Sequence, residues 1–132
     1  MEYYWYGDRG RLLVMFPTSA GRHNENEDFG LVPALAGKID AGEIQVCCPD
    51  SINRQSWADA SLPPWEKLRR HEIYDRFLAT EFFPHVARRA GRTDTIVYGA
   101  SLGGWQAVTF GARHPELVSR VVAFSGFFDI RR

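Results

Sequence analysis

The sequence has few cysteines, no excess of either charge and no long apolar run. It contains 2 Cys among 132 residues, and 16 Lys and Arg balance 16 Asp and Glu. A chain without net charge does not attract a polyanion over a distance, so neither nucleic acid nor a membrane surface is an expected partner. No stretch reaches the ~18 apolar residues of a membrane span, and no basic start followed by an apolar run predicts a secretory leader.

The two cysteines, Cys47 and Cys48, are neighbours in sequence. Neighbouring side chains of a strand point to opposite faces, so no disulfide between them is expected, and free thiols fit a reducing, cytoplasmic location. No cationic residue flanks them, so we expect buried, inert thiols rather than a cysteine nucleophile. The sequence shows no complete metal-ligand spacing, and we expect neither a metal nor another cofactor.

Short apolar segments alternate with longer amphipathic ones, which predicts an α/β fold. The predicted strands are residues 11–16, 43–48, 95–98 and 121–124, with 3–6 as an additional edge strand. The predicted helices begin at Asp28 (apolar stripe Leu31, Val32, Leu35 and Ile39), at 63–64 with a bend at Pro84, and after Ser101. Strands separated by helices need crossover connections, which give a mostly parallel sheet with helices on both faces. The length predicts one domain over residues 1–132.

A turn of the nucleophile type follows the predicted strand 95–98. Residues 99–103, GASLG, match the G-x-S-x-G pattern between a strand and a helix. The glycines leave room for a strained turn that lifts the Ser101 hydroxyl above the sheet. The N–H of Leu102 and the positive end of its helix point toward the place where an oxyanion would form. Ser101 is the predicted nucleophile; the alternative is a glycine-rich turn that only packs a helix against its strand.

Several segments together resemble one enzyme family. Residues 95–104 (TIVYGASLGG), 113–117 (RHPEL) and 121–126 (VVAFSG) are similar to the esterase branch of the α/β-hydrolases, and 16–21 (FPTSAG) and 48–51 (CPDS) agree with it. That branch includes S-formylglutathione hydrolases, feruloyl esterases and mycolyltransferases. The resemblance implies a serine hydrolase that cleaves small carboxylic esters through an acyl-enzyme on Ser101.

The family pattern also contains positions that have no counterpart here. In the family the acid and the base histidine follow strands beyond the one at 121–124, so the sequence resembles a truncated α/β-hydrolase. Either the fold lacks these roles, or other residues fill them. His23 is the predicted base, with His71 or a residue supplied by a second copy as alternatives, and Asp129 is the predicted acid.

The resemblance also assigns residues to the substrate cleft. The second oxyanion N–H of the family falls on Thr18 or Ser19, and Trp57 is predicted to contact the substrate. We expect slow and promiscuous hydrolysis of small-molecule esters, with Arg22 and Arg54 at the rim admitting phosphoesters. The alternative is a catalytically inactive fold that acts as a scaffold or interaction module.

The strand 121–124 also predicts an assembly. Its sequence, VVAF, has no charge or proline to protect an open edge, and such an edge is a template for pairing with another chain. We therefore expect a homodimer about a two-fold axis, formed either by antiparallel pairing of two copies of this strand or by exchange of terminal elements.

Overall fold

The structure, a computed structural model, describes residues 1–126 and residue 128. Its strands are β1 (Tyr3–Tyr6), β2 (Arg11–Phe16), β3 (Ile44–Pro49), β4 (Ile96–Ala100) and β5 (Arg120–Phe124). Its helices are α1 (Glu25–Asp28), α2 (Leu31–Ala34), α3 (Ala36–Asp40), α4 (Pro64–Phe77), α5 (Phe83–Ala90) and α6 (Leu102–Arg113). A 3-10 turn spans Asn53–Gln55, and a π-helical turn spans Leu78–Phe82.

The strands form one sheet in the order β1-β3-β2-β4-β5. Strand β1 runs antiparallel to β3, and all other neighbours are parallel. The predicted α/β class and mostly parallel sheet are therefore confirmed. Because β2 and β4 are neighbours, the loops that follow Phe16 and Ala100 emerge side by side at the carboxyl edge, where parallel sheets bind their ligands.

Alternating side chains of the strands supply two separate cores. Leu12, Val14 and Phe16 of β2 pack on one face against α4 to α6, where Phe83 and Phe110 are buried. The intervening side chains form the second core on the other face, together with Val32 and the partly buried apolar residues of α2 and α3. A sheet buried on both faces explains why β2 is a continuous apolar run rather than an alternating one.

The segment after β2 differs from the sequence prediction. Instead of one helix that begins at Asp28, the chain forms three short helices, and Asp28 is the last residue of α1. Gly30 has a φ of 80° and starts a new turn, and Pro33 removes one N–H donor inside α2. The predicted apolar stripe nevertheless lies against the sheet, because Leu35 and Ile39 pack on the second core.

The predicted bend near Pro84 is a π-helical turn between α4 and α5. A proline in a helix lacks an N–H and its ring clashes with the carbonyl four residues earlier, here that of Thr80. A wider turn relieves this clash, and single π turns are a common form of such relief. The long helical segment therefore keeps Leu78, Phe82 and Phe83 buried on one side in spite of the proline.

Glycines allow α6 to approach the strand ends. A Cβ on Gly103 would lie 2.5 Å from the Pro17 carbonyl oxygen and 3.0 Å from that of Phe16, and a Cβ on Gly99 would overlap the Gly103 carbonyl. A Cβ on Gly104 would lie 3.1 Å from the Phe124 carbonyl oxygen. The start of α6 thus lies against the ends of β2, β4 and β5 at once.

We expect Gly103→Ala to lower the free energy of unfolding by about 1–3 kcal/mol, because backbone atoms of β2 must move to admit the methyl group. The control is Gly37→Ala in α3, where an added Cβ meets nothing within 4 Å. Alanine exceeds glycine in helix propensity, so this control should stabilise the protein by up to about 1 kcal/mol. Urea denaturation of both variants measures the difference, and equal stabilities would contradict the close packing at Gly103.

Candidate active site

Ser101 occupies a strained turn between β4 and α6. Its φ is 54° and its ψ is −124°, a conformation that residues with a side chain rarely adopt. Its backbone N–H donates to the Phe124 carbonyl at 3.0 Å, and its carbonyl accepts from the Trp105 N–H at 3.1 Å. These two hydrogen bonds hold the turn, and the Ser101 side chain is exposed at the carboxyl edge of the sheet.

The start of α6 presents unused N–H groups beside Ser101. Trp105 donates the first hydrogen bond within this turn of helix, so the N–H groups of Leu102 to Gly104 have no partner in the preceding turn. The helix dipole adds partial positive charge at the same place. The geometry can therefore stabilise negative charge that develops on a carbonyl oxygen next to the Ser101 hydroxyl.

The loop that follows β2, residues 17–24, lies next to this turn. The Thr18 N–H donates to Glu25 Oε2 at 2.6 Å, and the Thr18 hydroxyl donates to Glu25 Oε1 at 2.7 Å. Of the two residues predicted to supply the second oxyanion N–H, Thr18 is thus already occupied by a carboxylate. Ser19, which is exposed, is the better candidate for that donor.

The loop after β3 fixes the position of the β2 loop. The Asn53 side-chain amide donates to the Thr18 carbonyl at 3.3 Å, and Arg54 Nε donates to the Ala20 carbonyl at 2.9 Å. The Ser51 hydroxyl donates to the Gly21 carbonyl at 3.3 Å. Three side chains from one loop therefore hold the backbone of the other, and Arg54 is used here for support.

Three aromatic rings join the loop after β3, α4 and α6. The His71 ring centroid lies 4.9 Å from that of Trp105 and 5.7 Å from that of Trp57, and the two indoles are 5.4 Å apart. Trp105 is one helical turn after Ser101, so this cluster forms part of the wall beside the turn. His71 lies inside α4 and is only 5% exposed. Burial lowers its pKa below the usual value, and this effect exceeds the opposing influence of Asp75.

His23 lies in a different group of side chains. Its ring is 4.6 Å from that of Tyr4 on the outer strand β1, and its Nδ1 is 3.8 Å from Asp50 Oδ2 and 3.9 Å from Glu2 Oε2. Asp50 follows β3, and β2 separates β3 from the Ser101 strand. Among the described residues, the charged groups closest to His23 are these two carboxylates, and no hydrogen bond joins His23 to Ser101. The role of His23 as base therefore stays a prediction.

Glu2, His23 and Asp50 are a group within the described residues whose ligand atoms could hold a metal ion. Arg22 already fills the space between the carboxylates, because its Nη2 donates to Glu2 Oε2 at 2.9 Å and to Asp50 Oδ2 at 2.8 Å. Burial alone would raise the pKa of Asp50, but Arg22 and the Ser51 N–H lower it below the usual range. The group is an ion-pair network around Arg22.

The remaining two histidines pair with other parts of the chain. His114 follows the C-terminal end of α6, away from Ser101, and its Nε2 is 2.9 Å from Asp75 Oδ2. His85 is exposed on α5 and contacts the Tyr3 hydroxyl at 3.1 Å. Asp129, the predicted acid, lies outside the described residues.

The two cysteines lie on opposite faces of the sheet. Cys47 packs in the first core and Cys48 in the second, so their thiols face away from each other. Burial raises the pKa of both thiols, that of Cys48 to about 12. A thiol with a raised pKa is a poor nucleophile, as the absence of flanking cations in the sequence predicts.

Two residues of the site were missed from the sequence. The first is Glu25, which holds Thr18, and its spacing of seven residues from Thr18 carries no periodic signal. The second is Trp105. Its position four residues after Ser101 places it one turn further on the same helix side, and that spacing was a usable signal.

A family model described as "Putative esterase" matches residues 23–131, which is most of the chain. The chain belongs to this esterase family. The match includes the strained turn at Ser101 and the loop after β3, so it confirms the resemblance found in the sequence. No curated protein sequence matches the chain significantly.

Solved structures of esterase-family proteins share the fold. A ferulic acid esterase from the anaerobic fungus Anaeromyces mucronatus aligns with a TM-score of 0.67 at 14% identity, over 95% of this chain and 51% of that one. An S-formylglutathione hydrolase from Agrobacterium tumefaciens aligns at 0.62 and 19% identity, over 90% and 48%. One from Staphylococcus aureus aligns at 0.57 and 14% identity, over 95% and 47%. The chain thus spans about half the length of these proteins, and at such identities they establish its fold as that of the α/β-hydrolases.

A membrane-spanning helix is not found among the described residues.

The buried His71 predicts a pH-dependent stability. Because its folded pKa lies below the unfolded value of about 6.5, the unfolded chain binds the proton first, and the free energy of unfolding falls as the pH drops through and below that value. His71→Phe keeps a ring against the two indoles and removes the titrating group. We expect the stability difference between pH 7.5 and 5.5 to shrink by about 1 kcal/mol in this variant.

Urea denaturation at the two pH values measures this effect. His85→Gln, a substitution at an exposed histidine, is the matched control and should keep the wild-type difference. A His71→Phe protein with the same pH dependence as the wild type would show that the buried imidazole does not titrate in this range.

Proposed function

We propose that the protein hydrolyses small carboxylic esters through an acyl-enzyme on Ser101. The Ser101 oxygen would attack the ester carbonyl carbon while its proton passes to a base and then to the departing alcohol. A water molecule would then release the acyl group as a carboxylic acid. The strained turn at Ser101, in a chain of the esterase family, is the observation that carries this proposal.

Two backbone N–H groups would bind the carbonyl oxygen as it becomes negative. The Leu102 N–H lies at the start of α6 without a helical partner, and Ser19 belongs to the adjacent loop that Asn53 and Arg54 hold in place. A donor of this kind contributes when it is fixed before the reaction, because no reorganisation is then needed. The hydrogen bonds from Thr18 to Glu25 support the proposal, since they hold the residue directly before Ser19.

We propose that His71 holds the two indole rings in place beside Ser101 and does not accept the proton of the Ser101 hydroxyl. Its ring contacts both Trp57 and Trp105 and is almost fully buried, whereas Ser101 is exposed. We propose that the general base is a residue that has no hydrogen bond to Ser101 in the described part of the chain. A second copy of this chain would be one source of it. Trp57 would then contact the part of the substrate that lies over α6.

The proposed substrates are carboxylic rather than phosphoric esters. Arg22, predicted to admit an anionic substrate, is neutralised by Glu2 and Asp50, and Arg54 is engaged with the Ala20 carbonyl. Exposure of Ser101 favours small esters of varied structure and slow turnover, because few side chains enclose the reacting group.

We expect Ser101→Ala to abolish both hydrolysis of a p-nitrophenyl ester and labelling by a fluorophosphonate probe in the full-length protein. The probe forms a covalent bond only with an activated serine, so mass spectrometry of the labelled peptide identifies the nucleophile. The matched control is Ser125→Ala. Ser125 is also exposed with a positive φ of 49°, but it lies outside the G-x-S-x-G turn.

The same experiment separates the two candidate functions. Labelling of Ser101 that survives in Ser125→Ala supports the hydrolase. A protein that is folded yet takes up no label at Ser101 favours the alternative, an inactive hydrolase fold that serves as a scaffold or interaction module.

We also propose a homodimer through β5. Within the part of the chain that the structure describes, β5 is an outer strand, with Val121 37% and Phe124 59% exposed. An apolar groove of about 290 Å³ runs beside it, lined by Leu13, Met15, Leu31, Ala34, Leu35, Tyr98, Val122 and Phe124. Antiparallel pairing of two β5 edges would place the exposed aromatic rings of each copy near the groove of the other.

Light scattering after gel filtration tests the dimer. We expect twice the chain mass at micromolar concentration for the wild type and a monomer for Val122→Lys, which puts a charge into the groove beside the edge. Lys38→Ala, at an exposed position on α3, is the control and should remain dimeric. A monomeric wild-type protein would contradict the proposal.

We propose a cytoplasmic location, because the two cysteines are unbridged. Cys47 and Cys48 are free in the structure, and both are buried. Unbridged thiols are typical of reducing compartments.

A further inference from the structure

A cavity lies apart from the Ser101 turn, between α4 and the residues that follow β3. Its volume is about 610 Å³, which is within the range of small-molecule binding sites. It is lined by Met1, Asp50, Ser51, Ile52, Gln55, Arg70, Ile73, Tyr74 and Phe77. Neither Ser101 nor the aromatic cluster of Trp57, His71 and Trp105 lines it.

The walls of this cavity are mainly apolar. Ile52, Ile73 and Phe77 contribute aliphatic and aromatic surface, and Ile73 is 45% exposed, although it is a large apolar side chain. Tyr74 also faces the cavity, but its hydroxyl is used, since it donates to the Asp50 carbonyl at 2.7 Å. A ligand with an apolar body would therefore cover surface that now contacts water.

The edge of the cavity holds a guanidinium group that shares its carboxylate partner with a second one. Glu66 accepts hydrogen bonds from both Arg69 and Arg70, each with a shortest distance of 2.7 Å, so a single carboxylate faces two guanidinium groups. Arg70 lines the cavity, whereas Arg69 does not. Arg70 is also held there by the Gln55 carbonyl, which accepts from its Nη1 at 2.8 Å.

The acidic residue that lines the cavity already has partners other than Arg70. Both oxygens of the Asp50 carboxylate are engaged, Oδ2 by Arg22 and Oδ1 by the Ser51 N–H at 2.9 Å. Arg22 also binds Glu2, so these three residues form one ion-pair group beside the cavity. A guanidinium group has a planar arrangement of donors that matches a carboxylate, and Arg70 uses only Nε and Nη1 in its hydrogen bonds among the described residues.

We propose that this cavity binds an apolar monocarboxylate. The carboxylate contacts Arg70, and the hydrocarbon part packs against Ile52, Ile73 and Phe77. The binding does not require Ser101, so it is independent of the hydrolase proposed above. Its effect can reach the candidate active site, because the loop that supplies Ser51 and Ile52 also holds the β2 loop through the Ser51 hydroxyl.

Octanoate is a suitable probe, and isothermal titration calorimetry of the full-length protein measures its binding. We expect saturable binding that weakens at least tenfold in Arg70→Gln and in Ile73→Ser, and that is unchanged in Ser101→Ala. Arg69→Gln is the matched control, because it also removes one hydrogen-bond partner of Glu66 but changes no residue of the cavity. Octylamine, with the same chain and the opposite charge, should bind at least tenfold more weakly than octanoate.

Three outcomes would overturn the proposal: no saturable binding to the wild type, equal octanoate affinity of Arg70→Gln and the wild type, or equal affinity for octanoate and octylamine. Circular dichroism of each variant establishes that it is folded. Since Ile73 is exposed and Arg69 and Arg70 lie on the same helix turn, a loss confined to Arg70→Gln and Ile73→Ser is not a folding effect.

Discussion

The close contact of α6 with the ends of three strands is the constraint on which the rest of the site depends. Gly99, Gly103 and Gly104 permit backbone atoms of β4, α6 and the β2 loop to meet without intervening side chains. Only this approach places the unpaired N–H groups at the start of α6 beside the loop that carries Ser19. The strained φ and ψ of Ser101 follow from the same contact, because the chain must leave β4 and enter α6 within one residue.

The loops around the turn are held by polar side chains that are used for support. Glu25 holds Thr18, Asn53 holds the Thr18 carbonyl, and Arg54 holds the Ala20 carbonyl. These bonds fix the backbone of the loops that follow β2 and β3. The ring cluster around His71 has the equivalent role on the other side of the turn, where it links α4 to α6 by packing.

The position of His23 is set by the charge pairing of its neighbour Arg22. Its loop leaves β2 next to Ser101, but Arg22 binds Glu2 and Asp50 at the β1 and β3 side of the sheet. The adjacent His23 therefore lies with these carboxylates and with Tyr4. A loop residue is positioned by its partners from other strands, and those partners cannot be read from the loop sequence.

The sequence by itself determined the elements whose signals are local. The apolar run of β2 agrees with its observed bounds, and the G-x-S-x-G turn, with its small residues, predicted the strand, turn and helix around Ser101. The three short helices after β2 were not predicted, because the apolar stripe keeps helical spacing across the break at Leu35 between α2 and α3. Tertiary structure alone decided that Thr18 is occupied by Glu25, that His23 lies beside Glu2 and Asp50 and that His71 is buried against two indoles. The physical reason is that these contacts join residues from separate elements, and their geometry depends on strand order and on competition among charged partners rather than on spacing along the chain.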